Sequence, residues 1–358
     1  MKRILFFLFI LIFITPVPAQ AAGNSIWIAS PANRNYVGEI INKDFEKSLA
    51  PTGDLGKLIF QPVARPRTWI MDAALLEDVQ YLITKNSTVA TNWLTQLKKE
   101  SRGDTIYATA YGNPDVIYLN SLAPTELNFY YIVGLQHLQA VLLKNVQSEK
   151  GSGYAWRRAK IDNDLRQFFN NSRQEFSLIS TAVNPKEVET DRARIAQLFS
   201  PQLDGAQRNE LLKDYRVGQS NVIKKLRIVS GRYQITTSNE KIPVTLVNDF
   251  NSPVKVDLYF TPLNNRVTFP QYRQITLNAK SKIQVSVPIK TIAAGDTTVI
   301  ARFENGKGKV IGTKGIIELS STIISPAVSR FTTGAGLLLI LAAVAQSVRR
   351  VRKSRAEK

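Results

Sequence analysis

Eighteen consecutive residues without a charge, Phe331 to Val348, constrain this chain more than any other stretch. At about 1.5 Å per residue, an α-helix of that length is roughly 27 Å long, close to a hydrocarbon thickness of about 30 Å. Its centre, Gly334 to Val344, is apolar around the whole helical circumference, and Arg349, Arg350, Arg352, Lys353 and Arg355 follow at once. The pattern predicts one transmembrane helix at 331–348 with a basic tail, 349–358, on the cytoplasmic side, because Lys and Arg favour inner loops. A buried C-terminal helix is the competing assignment.

The other terminus points the same way. Met1-Lys2-Arg3 is a basic start, Ile4 to Ile14 an apolar run, and Ala19-Gln20-Ala21 a small-x-small cleavage signal. Residues 1–21 are therefore expected to be a signal peptide, with an uncleaved anchor as the alternative. The chain has no cysteine, so an exported part must hold together by core burial alone.

The net charge is +19; removing Lys2 and Arg3 (+2) and the tail's six basic residues less Glu357 (+5) leaves +12 on residues 22–348. For an exported protein the available polyanions are lipid headgroups and cell-wall polymers, and nucleic acid is not an expected partner. General solubility accounts for the charge equally well.

Residues 22–222 alternate between strand and helix patterns. Ile26-Trp27-Ile28, Leu58-Ile59-Phe60, Thr68 to Met71 and Thr105 to Ala110 read as strands. Asp72 to Ile83, Val89 to Ser101 and Thr125 to Val146 carry apolar residues at spacings of three and four. Residues 155–222 read as mostly helical, with a further strand at Phe176 to Thr181. Such alternation predicts an α/β domain with a largely parallel sheet, a reduced or irregular β/α barrel-like fold because about 200 residues fall short of a full barrel. From Leu226 the period changes to two: Val254, Val256, Leu258 and Phe260 alternate with Lys255, Asp257 and Tyr259. Residues 226–320 are thus expected to form an all-β immunoglobulin-like sandwich of roughly seven strands.

Two groups of residues carry a family resemblance. Arg227-Ile228-Val229-Ser230-Gly231 with Thr236 to Asn248 resembles the closing β-domain of an uncharacterised bacterial family of secreted, single-pass membrane-anchored proteins. Trp69-Ile70-Met71-Asp72 and Ala110-Tyr111-Gly112-Asn113-Pro114-Asp115 resemble that family's Trp-x-x-Asp strand end and Pro-Tyr-x-x-Pro-Asp loop, with Ala110 in place of the proline. The resemblance implies a degenerate polysaccharide-deacetylase or glycosidase-like domain, an immunoglobulin-like domain and an envelope location. It implies no established activity.

A metal-dependent deacetylase needs imidazoles and a carboxylate converging on one cation, and the chain has a single histidine, His137, on the flank of an apolar helix. Neither a histidine metal site nor any cofactor is expected, and no Gly-rich phosphate loop stands between a strand and a helix. The candidate catalytic residues are Asp72 and Asp115, each just past a predicted strand. Paired carboxylates there can hydrolyse a glycosidic bond, and two helix caps are the other assignment. Trp69, Tyr107 and Tyr111 are candidate sugar-stacking residues or ordinary core aromatics. Residues 226–320 hold thirteen Lys or Arg against six Asp or Glu, a surplus for anionic lipid or wall polymer to meet. The expected function is a non-enzymatic, membrane-tethered envelope protein that binds wall polysaccharide or a wall-assembly partner. A carbohydrate hydrolase and a structural spacer are the competing classes.

Overall fold

A computed structural model describes residues 24–150, 158–322 and 326–356, with side chains described for neither 326–332 nor 350–356. The signal peptide expected at 1–21 lies outside the described residues. The chain divides into two compact units, one formed by residues 1–160 with 196–204, the other by 161–195 with 205–358.

The first unit is built on a parallel sheet of four strands, β1 (Asn24–Ile28), β2 (Arg67–Met71), β3 (Thr105–Ala108) and β4 (Gln147–Ser148), lying in that order. Among the described residues each of the four strands is added beside the one before it, the winding order of a β/α barrel. Helices α1 (Phe45–Leu49) and α2 (Asp54–Phe60) follow β1, and α3 (Ala73–Thr84) and α4 (Thr88–Glu100) follow β2. Helices α5 (Val116–Leu122) and α6 (Pro124–Leu142) follow β3. Trp69, Ile70 and Met71 are fully buried, as two-sided cover of a parallel sheet requires.

One expected strand here is a helix. Leu58-Ile59-Phe60 ends α2, which buries Leu55, Gly56 and Ile59 on one face; a three-residue apolar run does not distinguish the two periods.

The second unit combines α7 (Asn163–Ile179), α8 (Lys186–Arg194) and α9 (Gly205–Ile223) with nine β-strands and α10 (Pro326–Ala356). The strand expected at Phe176 to Thr181 is instead the last turn of α7. Leu165, Phe168, Phe169, Ser172, Phe176 and Ile179 make its buried face at helical spacing, and Asp162 caps it by accepting from Leu165 N at 2.8 Å. The helices expected to complete the α/β domain up to residue 222 thus group with the β-rich unit.

The strands are β5 (Leu226–Ile228), β6 (Gly231–Ile235), β7 (Asn239–Asn248), β8 (Val254–Pro262), β9 (Val267–Thr268), β10 (Tyr272–Leu277), β11 (Ser281–Thr291), β12 (Gly295–Glu304) and β13 (Val310–Ser321). They form one curled sheet ordered β10-β8-β12-β13-β5-β7-β11-β9, with β6 also on β13. A two-layered sandwich of roughly seven strands in all was expected. The join is β5, which pairs antiparallel with β7 and, through Arg227, parallel with Thr313 of β13. Alternation holds as read: Val254, Val256 and Leu258 are buried while Lys255 is exposed.

Among the described residues no helix is long and apolar enough to cross a membrane. The expected span of 331–348 does fall inside the 31-residue helix α10. Phe331 and Thr332 lie outside the described side chains, leaving an uncharged run from Thr333 to Val348. Within it Leu337, Leu338, Leu339, Ile340 and Leu341 are all exposed, from 57% to 72%.

Candidate functional site

The four parallel strands end level with one another. Ile28 pairs with Met71, Met71 with Ala108, and Ala108 with Ser148. The ladder runs one residue further: Asp72 N donates to Ile28 O (2.9 Å), Thr109 N to Met71 O (3.0 Å) and Glu149 N to Ala108 O (2.9 Å). This C-terminal edge is where parallel α/β folds place their ligands. Here it carries Asp72 and Glu149, with Tyr111 and Asp115 on the loop after β3.

Asp72 is the N-cap of α3 and is buried. Its Oδ1 accepts from Ala74 N at 3.1 Å and from Gly112 N at 2.8 Å, tying the start of α3 to the loop after β3. Burial pushes the carboxyl up to about 7; the two backbone N–H groups oppose that rise, and Asp78 and Glu77 add to it. Asp115 is the buried N-cap of α5 and uses both oxygens. Oδ1 accepts from Tyr118 N and Oδ2 from Ala159 N, each at 2.9 Å, and the Arg158 guanidinium stands 3.9 Å away.

The aromatic candidates differ in burial and partners. Trp69 is wholly buried, with Nε1 donating to Asp104 Oδ2 at 2.9 Å and the Arg67 guanidinium over its ring. Tyr111 is buried and its hydroxyl donates to Glu77 Oε2 at 2.6 Å. Tyr107, in β3, is half-buried.

Three groups at this edge were not singled out from the sequence as a cluster. Glu77, one turn along α3, joins the Tyr111 hydroxyl to His137 Nδ1, and the Tyr111 and His137 rings meet edge to face at 5.7 Å. Burial raises the Tyr131 phenol above its ordinary range, and the fully buried Glu149 adds to that rise. Among the described residues no group of three or more His, Asp or Glu is placed to hold a metal ion.

The edge is covered by the unit's own chain. Residues 196–200 are buried; Phe199 O accepts from Asp115 N at 2.9 Å, and the Phe199 ring stacks on Tyr118 at 5.9 Å. Gln202 Nε2 donates to Ala29 O, just beyond β1, at 3.2 Å. Gly112, at φ +77°, lies directly under Gln197: a Cβ there would stand 2.6 Å from Gln197 Cγ.

The profile of a family of unknown function, DUF6049, matches residues 135–356, and the chain belongs to that family. No curated protein sequence matches the chain. Among solved structures it is similar to WR4, an MSP family member of Caenorhabditis elegans (9% identity, 28% of this chain and 99% of that one, TM-score 0.22). It is also similar to an ASH/PapD-like domain of human CEP192 (13% identity, 28% and 87%, TM-score 0.22). A third similarity is to the Escherichia coli chaperone DraB (14% identity, 29% and 56%, TM-score 0.20). Likeness at these scores carries no functional information.

Proposed function

We propose that this is a membrane-tethered, non-catalytic envelope protein whose ectodomain binds a wall polysaccharide or a wall-assembly partner. The observation that carries the non-catalytic reading is the filled strand edge. A hydrolase of this winding would hold its substrate over Asp72 and Asp115; here both carboxylates cap helices and residues 196–202 occupy the space above them. The tether reading rests on α10. Five consecutive large apolar side chains, 337–341, cover every side of a helix and all face outward, and arginines follow them. In this reading the N-terminal part lies outside the membrane and the tail from Arg349 lies in the cytoplasm.

The hydrolase reading has one observation in its favour: Asp72, pushed up to about 7, holds a proton near neutrality as a general acid must. Its oxygen is nevertheless already engaged by two backbone N–H groups. A glycan-binding screen of the exported part, with turnover assays on wall glycans, separates the readings. Binding without turnover, unchanged in Asp72→Asn, is expected; turnover abolished by Asp72→Asn or Asp115→Asn would overturn the non-catalytic reading.

A further inference from the structure

The β-rich unit has two unlike ends. At one, Asn305 Nδ2 donates to Thr181 Oγ1 and Asn251 N to Glu187 Oε2, so the loops after β12 and β7 lie against the helical segment. At the other, β13 finishes at Ser321, paired with Gly295 of β12 and Ile235 of β6, and Thr322 N donates to Ile235 O at 3.1 Å. Only four residues then separate Ser321 from the first residue of α10, Pro326. An extended chain covers at most about 3.6 Å per residue, so α10 starts within about 18 Å of this end.

This exit end displays apolar side chains on braced loops. Leu263 is 64% exposed and Ile292 57%. Neither loop is slack. Leu263 N donates to Thr298 O at 2.9 Å, and Asn264 Oδ1 accepts from Arg266 N (3.1 Å) and Thr297 Oγ1 (2.8 Å). Ile292 N donates to Arg266 O at 2.7 Å, which joins the two loops. The Arg266 guanidinium lies over Gly295, at φ +112°, where any side chain would meet it. Behind them Phe269 stacks on Phe260 at 5.0 Å beside Pro270. Lys241 and Lys290 lie with Glu240 beside Phe269 and Pro270, and the Arg266 guanidinium lies at Gly295, next to Asp296.

We infer that this end is a membrane-docking face, with Leu263 and Ile292 seated in the headgroup layer and Arg266, Lys241 and Lys290 toward lipid phosphates. The inference rests on reading α10 as the membrane anchor, because the anchor brings the bilayer to this end. Exposed apolar side chains with cationic ones on the same end of a unit are a composition suited to an interface, where such groups sink about 5–10 Å. Docking would hold the β-rich unit against the surface and set its tilt.

The chain has no cysteine, so single sites can be labelled cleanly. The full chain is reconstituted in vesicles of phosphatidylcholine with phosphatidylglycerol, carrying a fluorophore on Leu263→Cys, Ile292→Cys, Leu339→Cys or Lys307→Cys. Lys307 lies past the other end of β13, roughly 35 Å from Ser321. A quencher fixed on lipid headgroups should lower emission at 263 and 292 by at least about threefold more than at 307, as expected of sites within about 10 Å of the interface. A deep acyl-chain quencher should reach 339. If 339 is reached and 263 and 292 behave like 307, the docking inference falls while the anchor stands; if 339 stays aqueous, the anchor falls and docking with it.

Discussion

Two ion pairs in the α/β unit are buried where two in the β-rich unit stand in water. In the α/β unit, Arg67 has a side chain only 4% exposed and bridges Asp104 (2.7 Å) and Glu100 (2.9 Å), while Asp78, 3% exposed, accepts from Arg34 at 2.6 Å. In the β-rich unit, Arg232 and Glu318 pair at 84% and 51% exposure, and Arg227 and Asp249 at 38% and 46%. Buried pairs are costly to break because the surviving charge has no water, whereas exposed pairs contribute little.

Trp27, Trp69 and Trp93 lie in the α/β unit and no tryptophan follows residue 156, so tryptophan emission is weighted to that unit while far-UV circular dichroism follows both. The largest difference is expected for Arg67→Met, which leaves the buried Asp104 carboxylate with only Arg65 (3.0 Å) and the Trp69 N–H and should cost the α/β unit about 3 kcal/mol in denaturant titrations. The matched Arg232→Met should change the β-rich unit by about 0–1 kcal/mol. Equal losses would erase the contrast.

Asp72 sharpens it through pH. Its folded-state value, about 7, lies above the ordinary 3.8, so the folded state holds this proton more tightly than the unfolded chain. Stability from this group is then present below pH about 4, is lost as pH rises toward 7, and is flat above. The full swing is about 4 kcal/mol at 1.36 kcal/mol per unit. Asp72→Asn keeps the acceptor oxygen and should remove that slope in tryptophan-detected unfolding at pH 4 to 8. A slope that survives the substitution would assign it to another group.

A smaller loss separates the two capping aspartates. One oxygen of Asp72 takes both backbone bonds, so Asn can replace it there; Asp115 uses both oxygens, and Asn would turn an amide toward Ala159 N. Asp115→Asn should cost about 1 kcal/mol, one hydrogen bond, measured by thermal melting. The smallest expected effect is on Arg227→Met, about 0–1 kcal/mol, further reduced as salt is raised.

The same contrast explains what could be read in advance. Alternation at Val254 to Leu258 was legible because one face of that sheet is wet and the period is written in the residues. Strand β4 was not: Gln147-Ser148 is two polar residues made a strand by Ala108 and Tyr107 beside them. Asp72 and Asp115 were legible as positions, since a strand, an aspartate and a helix follow in order. Glu77 with His137 was not, because sixty residues separate partners that only the packing of α3 on α6 brings together. The curling of the β-sheet through β5 left no trace either, since three residues, Leu226 to Ile228, serve both halves.

The segment that covers the parallel sheet has a consequence for how the protein is made. The fourth strand is complete at Ser148, but residues 196–204 follow about fifty positions later, after two helices that belong to the other unit. At about 5–20 residues per second of synthesis, the strand edge waits roughly 3–10 s for its cover. During that interval the strand edge lacks the cover that Gln197 and Phe199 later supply. Neither unit is a single stretch of chain, so no one cut frees either of them whole, and the order of assembly is set by which segment emerges last.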